Sequence, residues 1–175
     1  MIRHICENDI PACLDLYNWY IDHSLATFET EPVTLSEFSE RVHRMTEKYP
    51  WLVLEEDGEI KGYAYLGSFH ERDAYRYTVD LSIYLKQTER GKGYGSRLME
   101  AIIELAKQDG YHSMVSIITE GNLPSEAIHA KFGFEKMVVL PRLGYKFSQW
   151  IGVSYWLLKL NNTDETAELQ NRKLQ

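Results

Sequence analysis

The chain has 175 residues, 44% of them hydrophobic and 13% aromatic, which fits one packed domain rather than a fibrous or disordered chain. Its 19 Lys and Arg against 26 Asp and Glu leave a net charge of −7, which argues against a nucleic-acid partner held by bulk electrostatics. Cys6 and Cys13 are too few for a disulfide framework, no Cys or His pair has finger-like spacing, and no stretch reaches membrane-spanning length, so a cytoplasmic protein with no metal and no membrane association is expected.

Residues 2–6 read as a short strand. Asp9 is placed to cap a helix with Pro11 in its first turn, in which Leu14, Tyr17 and Ile21 recur at helical spacing. Residues 24–33 read as a loop, after which Thr34 or Ser36 caps a second helix to about residue 48. Strands over 51–55 and 60–66 are joined at Asp57-Gly58, a tight-hairpin signal. Another strand covers about 77–86. A glycine turn, Arg90-Gly91-Lys92-Gly93-Tyr94-Gly95, opens a helix over about 92–108 with Leu98, Ile102 and Leu105 on one face and Gly110 beyond its end. Residues 115–118 form a buried-type strand. Gly121-Asn122 leads into a helix around 124–132 that Gly133 stops, and strands near 135–140 and 152–160 finish the fold. From Asn161 the chain is polar and expected to fray. The order β-α-α-β-β-β-α-β-α-β-β implies an α/β domain over residues 1–160, a mixed sheet with helices on both faces, and a polar tail over 161–175.

The glycine turn carries the first functional signal. Glycines leave backbone N–H groups uncovered, and a helix start adds unpaired N–H groups and the positive end of its dipole. Together they suit a phosphate or pyrophosphate, although the same residues would also serve a plain strand-to-helix turn. A dinucleotide-binding fingerprint would want an acidic residue on a following strand, and residues 113–119 carry none.

Arg90, Gly93 and Gly95 match the Gln/Arg-x-x-Gly-x-Gly/Ala motif of the GNAT superfamily of N-acetyltransferases. Asn122-x-x-Ser125 followed by Phe132-Gly133-Phe134 resembles its second hallmark. The segment from Arg72 to Asp80 resembles the one before the cofactor strand in phosphinothricin and methionine sulfoximine acetyltransferases. Tyr17-Asn18, Thr27-Phe28-Glu29, Gly144-Tyr145-Lys146-Phe147 and Trp150 are also similar to theirs, so the likeness covers about residues 1–160.

The resemblance implies a twisted sheet splayed at the cofactor strand, acetyl-CoA as co-substrate, and direct acetyl transfer to a small amino-acid-like amine. It places the pyrophosphate at Gly91, Lys92, Gly93, Tyr94, Gly95 and Ser96. The pantetheine arm would lie along Ile83, Tyr84 and Leu85, with Asn122 opposite. Asp80 stands where related enzymes carry a glutamate, with a reach shorter by one carbon–carbon bond, about 1.5 Å. It is read as base, water-relay holder or ammonium ligand, against a strand-end surface charge. Arg72 and Tyr75 are candidates for the acidic end of the acceptor, with His70 and Glu71 lining the same pocket. Phe28 and Trp51 are pocket walls or core. His129 is a thiolate acid or a structural histidine. A homodimer is implied, with apolar surface from Trp150 and Trp156. The rival functions are acetylation of a protein or peptide N-terminus and non-catalytic acyl-CoA binding.

Overall fold

Alternation of side chains along the strands decides the architecture. In a strand, successive residues point to opposite faces. Leu52, Leu54, Ala64, Leu66, Val79 and Leu81 therefore pack on one side of the sheet, while Trp51, Val53, Tyr63 and Tyr84 pack on the other. The computed structural model describes residues 1–161; the part of the expected tail beyond residue 161 lies outside them. In chain order its elements are β1 (Ile2–His4), α1 (Ile10–His23), α2 (Leu35–Thr46), β2 (Trp51–Glu56), β3 (Glu59–Ser68), β4 (Thr78–Leu85), α3 (Tyr94–Gln108), β5 (Ser113–Thr119), α4 (Leu123–Lys131), β6 (Glu135–Lys146) and β7 (Gln149–Lys159). This is the predicted order, and helices do lie on both faces. Leu98, Met99 and Ile102 of α3 close the first layer, and Leu14, Tyr17 and Ile21 of α1 with Phe38 and Val42 of α2 close the second. Burying each such side chain is worth roughly 1.5–3 kcal/mol.

The seven strands run in the order β1-β2-β3-β4-β5-β7-β6. Every described pairing is antiparallel except β4 with β5, and that pair is short. Thr78, Val79 and Asp80 pair with Ser113, Met114 and Val115. Beyond Asp80 the two strands part, although β4 continues to Leu85 and β5 to Thr119.

Local signals were read well where turn chemistry is strong. Thr34 accepts from the Glu37 N–H at 3.3 Å while the Glu37 carboxylate accepts from the Thr34 N–H at 3.0 Å, a reciprocal cap for α2. Asp57 (φ 55°) and Gly58 (φ 75°) both adopt the left-handed region that a two-residue hairpin turn demands. Asp9 is different. It does not cap α1; it is itself helical and ends a short 3-10 turn. Its carboxylate accepts from the Cys6 N–H at 2.8 Å and pairs with Arg3 at 2.6 Å. That guanidinium holds the carboxyl down at about 2. Asp9 thus ties β1 to the start of α1.

The C-terminal hairpin is longer than expected. The strand expected near 135–140 runs on through Pro141 and Gly144 to Lys146, with a register shift against β7 at 140/144. Its turn is made by Phe147 (φ 50°) and Ser148 (φ 58°), which carry no glycine signal. Trp156 is buried, with its Nε1 donating to Ser154 Oγ at 2.9 Å, so it offers no outer surface; Trp150, 55% exposed, does. Trp51 is core, not a pocket wall.

Candidate active site

Strand β4 organises the site along its whole length. The glycine turn lies at its C-terminal end. Gly91 (φ 79°) and Gly93 (φ 83°) sit in the left-handed region, and Gly93 is the residue from which α3 starts, two positions later than predicted. The first-turn N–H groups at Tyr94, Gly95 and Ser96 have no partner within the helix. A Cβ on Gly95 would approach Ile128 Cδ1 to 3.0 Å and Leu85 Cδ1 to 3.2 Å, so a side chain there would push α3 away from β4 and α4. A cleft of about 560 Å³ opens over this turn, bounded by Ile83 and Leu85 on one side and by Asn122 and Ser125 on the other. Arg90 and Lys131 border it, and the Lys131 ammonium donates to Ser96 Oγ at 3.0 Å. The Lys92 ammonium is held by Glu89 at 2.7 Å and is turned to that partner instead of the cleft.

From the cleft a narrow slot of about 60 Å³ runs between the parted strands, past Leu81, Ser82, Ile117, Asn122 and His129. The Lys86 N–H bonds to Lys61 O at 2.9 Å, which fixes the phase of the β3–β4 ladder. Backbone groups in an antiparallel pair alternate in direction. Ser82 and Tyr84 therefore bond towards β3, whereas Leu81, Ile83 and Leu85 turn towards the gap. Of the three expected backbone partners, Ile83 and Leu85 face the gap and Tyr84 does not; its ring instead packs edge-on against Tyr17 and Tyr20. The Leu85 carbonyl already accepts from Tyr20 Oη at 2.8 Å. Asn122 caps α4, its Oδ1 accepting from the Ser125 N–H at 3.4 Å, and still borders both cleft and slot.

Asp80 is the last β4 residue paired to β5, so it sits where the gap begins. It is half-buried on the face shared with Ser82 and Tyr84, and its carboxyl has no hydrogen bond or ion pair among the described residues. Burial with no cation nearby lifts it to about 7. From Asp80 to Leu85 is five residues, or ~17 Å of strand. Only an extended ligand could touch both ends.

The loop joining β3 to β4 returns the chain beside Asp80, since Gly67 pairs with Asp80 and Ser68 with Val79. His70, Glu71, Arg72 and Tyr75 lie on it and are exposed. Phe69, His70 and Tyr75 form a ring cluster with centroids 4.4–5.6 Å apart, and Ser68 Oγ donates to His70 O. The Arg72 guanidinium has no partner among the described residues. The structure therefore brings all four to the Asp80 end of β4, away from the glycine turn.

His129 is buried against Phe134, and burial lowers its pKa. Its Nδ1 lies 2.7 Å from Ser125 O, a pure acceptor, so Nδ1 carries the proton. Nε2 then accepts from Ser116 Oγ at 3.0 Å. A neutral ring with its proton committed to the backbone is a structural histidine.

Three contributors had no local signal. Tyr20 and Ala26 border the cleft from α1 and its following loop. Lys146, only 3% exposed, donates to Ser24 O at 2.9 Å and Thr27 O at 3.0 Å. A Cβ on Gly144 would collide with the Phe28 ring. The loop after α1 is thus clasped to β6.

The profile of the acetyltransferase (GNAT) family matches residues 13–134. The chain belongs to the GNAT acetyltransferase family. An L-methionine sulfoximine/L-methionine sulfone acetyltransferase from Pseudomonas paraeruginosa is 35% identical over 164 residues, covering 93% of this chain and 95% of that protein. The crystal structure of a GNAT phosphinothricin acetyltransferase from Sinorhizobium meliloti in complex with acetyl-CoA superposes with a TM-score of 0.89 at 30% identity, covering 92% and 88% of the two chains. A ribosomal-protein-alanine N-acetyltransferase structure from Brucella melitensis gives a TM-score of 0.90 at 32% identity, covering 91% and 99%. This GNAT protein is an N-acetyltransferase with acetyl-CoA as co-substrate, which sets aside the non-catalytic reading. The site fits that co-substrate on its own chemistry: first-turn N–H groups for a pyrophosphate, a strand edge facing the gap for amides, and a slot between the parted strands.

Proposed function

We propose that residues 1–160 act as one domain that acetylates the α-amino group of small amino-acid-like acceptors of the methionine sulfoximine, methionine sulfone and phosphinothricin type. The observation that carries this reading is Asp80: a half-buried carboxyl with no partner among the described residues, raised to about 7, at the point where β4 and β5 part and next in the chain to Leu81 of the slot. Its small acidic-ended acceptor is supported by Arg72 and by the names of the relatives above.

Acetyl-CoA supplies a thioester whose carbonyl carbon can accept an amine, the C–N bond forming as the C–S bond breaks. Gly91, Gly93 and the first turn of α3 hold the pyrophosphate end through backbone N–H groups. Ile83 and Leu85 hold the arm by strand addition, and Asn122 faces it. An α-amino group has a pKa of about 8, so the acceptor arrives largely as an ammonium. Asp80 binds that ammonium and takes its proton, directly or through one water; a carboxyl near 7 can accept the proton and release it again at neutral pH. Arg72 and Tyr75 hold the acidic end, with His70 and Glu71 beside them. The thiolate leaves without help from His129, and cysteine-like acidity near about 8.5 makes that cost modest. Much of the rate comes from alignment of amine and thioester. Met137, Tyr145 and Trp150, each 55–58% exposed on the terminal hairpin, support a homodimer.

Thiol release from acetyl-CoA across free amino acids, their sulfone and sulfoximine analogues and short peptides tests the reading. Turnover of the small acidic-ended amines is expected. Turnover of peptides alone would replace it with acetylation of a protein or peptide N-terminus.

A further inference from the structure

Ile117 is out of place for a residue on an inner strand. β5 lies between β4 and β7, and its other hydrophobic residues are buried, yet Ile117 is 49% exposed. Alternation explains which way it points. Met114 and Ile118 face the α3 layer, so Val115 and Ile117 face the opposite side, the side of Asp80. On that side the buried residues of α1 and α2 pack with those of β2, β3 and β4, and no residue of β5, β6 or β7 belongs to that cluster. Ile117 pairs with Tyr155 of β7, and Tyr155 pairs with Val138 of β6. The three side chains form one row across the uncovered half of the sheet. Val138 is 45% exposed, Tyr155 is half-buried, and the Tyr155 hydroxyl makes no hydrogen bond among the described residues. The loop clasped by Lys146 meets the sheet at the Gly144–Ile151 end, and its Ala26 lines the slot together with Ile117.

The row is continuous with the candidate chemistry. Val115 pairs directly with Asp80, and Ile117 is two residues further on, ~6.6 Å along the strand. Ile117 also borders the slot itself. An amine held at Asp80 therefore has an apolar surface one side-chain length away, about four or five zigzag bonds of ~1.5 Å each.

We propose that Ile117, flanked by Tyr155 and Val138, is the specificity-determining floor of the acceptor site and receives the unbranched apolar stem of the acceptor's side chain. This rests on the small-acceptor reading above and narrows it: long, unbranched, methionine-like side chains are preferred over glycine-like ones, because only the former cover the row. The Tyr155 hydroxyl, at the middle of the row, is available to a polar group further along such a stem.

The test is a ratio. kcat/KM for methionine sulfone is divided by kcat/KM for glycine in wild type, Ile117→Ala and Val138→Ala, with KM for acetyl-CoA measured alongside and the oligomeric state followed by sedimentation. Removing apolar contact from a pocket changes discrimination by about tenfold or more, so Ile117→Ala should lower the ratio at least that much, and Val138→Ala less, with KM for acetyl-CoA little altered. Ile117→Met, which keeps apolar volume, should restore most of the ratio and guards against a folding defect in the alanine variant. An unchanged ratio in Ile117→Ala overturns the proposal. So does a change in oligomeric state with the ratio intact, which would make the row a contact between copies of this chain. If wild type acetylates only peptides, the small-acceptor function fails on that measurement alone; the row is then judged by the same ratio between peptides beginning with methionine and with glycine.

Discussion

Replacing Asp80 by Asn should make the protein slower and more stable at once. Asp80 has an ordinary pKa near 4 when unfolded and about 7 when folded, because burial removes water and no cation replaces it. Folding favours the protonated acid, so no penalty exists below the unfolded value. The penalty grows as pH rises from about 4 to about 7 and is constant above that. Three pK units correspond to about 4 kcal/mol at most; Asp80 is only half-buried, so about 2 kcal/mol is the working figure. Asn is nearly isosteric and carries no charge. Asp80→Asn should therefore melt close to wild type at pH 4.5 and several degrees higher at pH 8. Activity should move the other way. Loss of a positioned base costs about 10²–10⁴ in rate, and the wild-type kcat/KM should rise through an apparent pKa near 7 that the variant lacks. Asp80→Glu, which keeps a carboxylate and lengthens its reach, should retain that limb. Thermal melting at the two pH values and a pH–rate profile are sufficient. If Asp80→Asn melts at the wild-type temperature at pH 8, or if its pH limb persists, the account of Asp80 is wrong.

Two further substitutions probe the two ends of β4. Gly93→Ala forces a Cβ into the left-handed region, at about 1–2 kcal/mol, although the added atom meets nothing within 4 Å. If the backbone relaxes instead, the N–H cradle is lost, so KM for acetyl-CoA should rise about tenfold or more with KM for the acceptor unmoved; an unchanged KM for acetyl-CoA would count against the cradle. Arg72→Ala should raise KM for phosphinothricin by roughly ten- to a hundredfold, the worth of a charge-assisted pair, and leave acetyl-CoA binding intact. An unaltered KM would return Arg72 to the status of an exposed loop charge.

Sequence alone reached the parts of the fold that local rules govern. Thr34, one of the two cap candidates, caps α2, Asp57-Gly58 turns the first hairpin, and Gly110 and Gly133 end helices as left-handed residues. It went wrong where a distant partner decides. Asp9 has the right position for a cap, but Arg3 of β1 claims its carboxylate. Residues 135–140 read as a short strand, but β7 supplies a long partner that carries β6 through an irregularity at 140/144 to Lys146. The same division holds at the site. The glycine turn, Asn122 and Asp80 lie next to one another in element order and could be read. The unpaired β4 edge, the committed proton on His129 and the clasp by Lys146 depend on registers and contacts between residues tens of positions apart.

The shortened carboxylate at Asp80 is better understood with its surroundings than as a loss of reach. The resemblance read from the sequence implies a glutamate at this position, one bond further from the sheet. An aspartate keeps the carboxyl closer to the β4 backbone, above a layer that includes Tyr65 and Tyr84, and that layer's burial is what lifts it to about 7. Lower reach and higher basicity therefore come from one cause. A water can bridge the missing ~1.5 Å to an amine, whereas a freely solvated aspartate near 4 would be a much weaker base. The open row at Ile117 begins beside the same residue, because the parting of β4 from β5 at Asp80 uncovers both. One structural event, three paired residues followed by a gap, thus supplies the edge that would bind the cofactor arm, the carboxyl that would take the proton, and the surface that would select the acceptor.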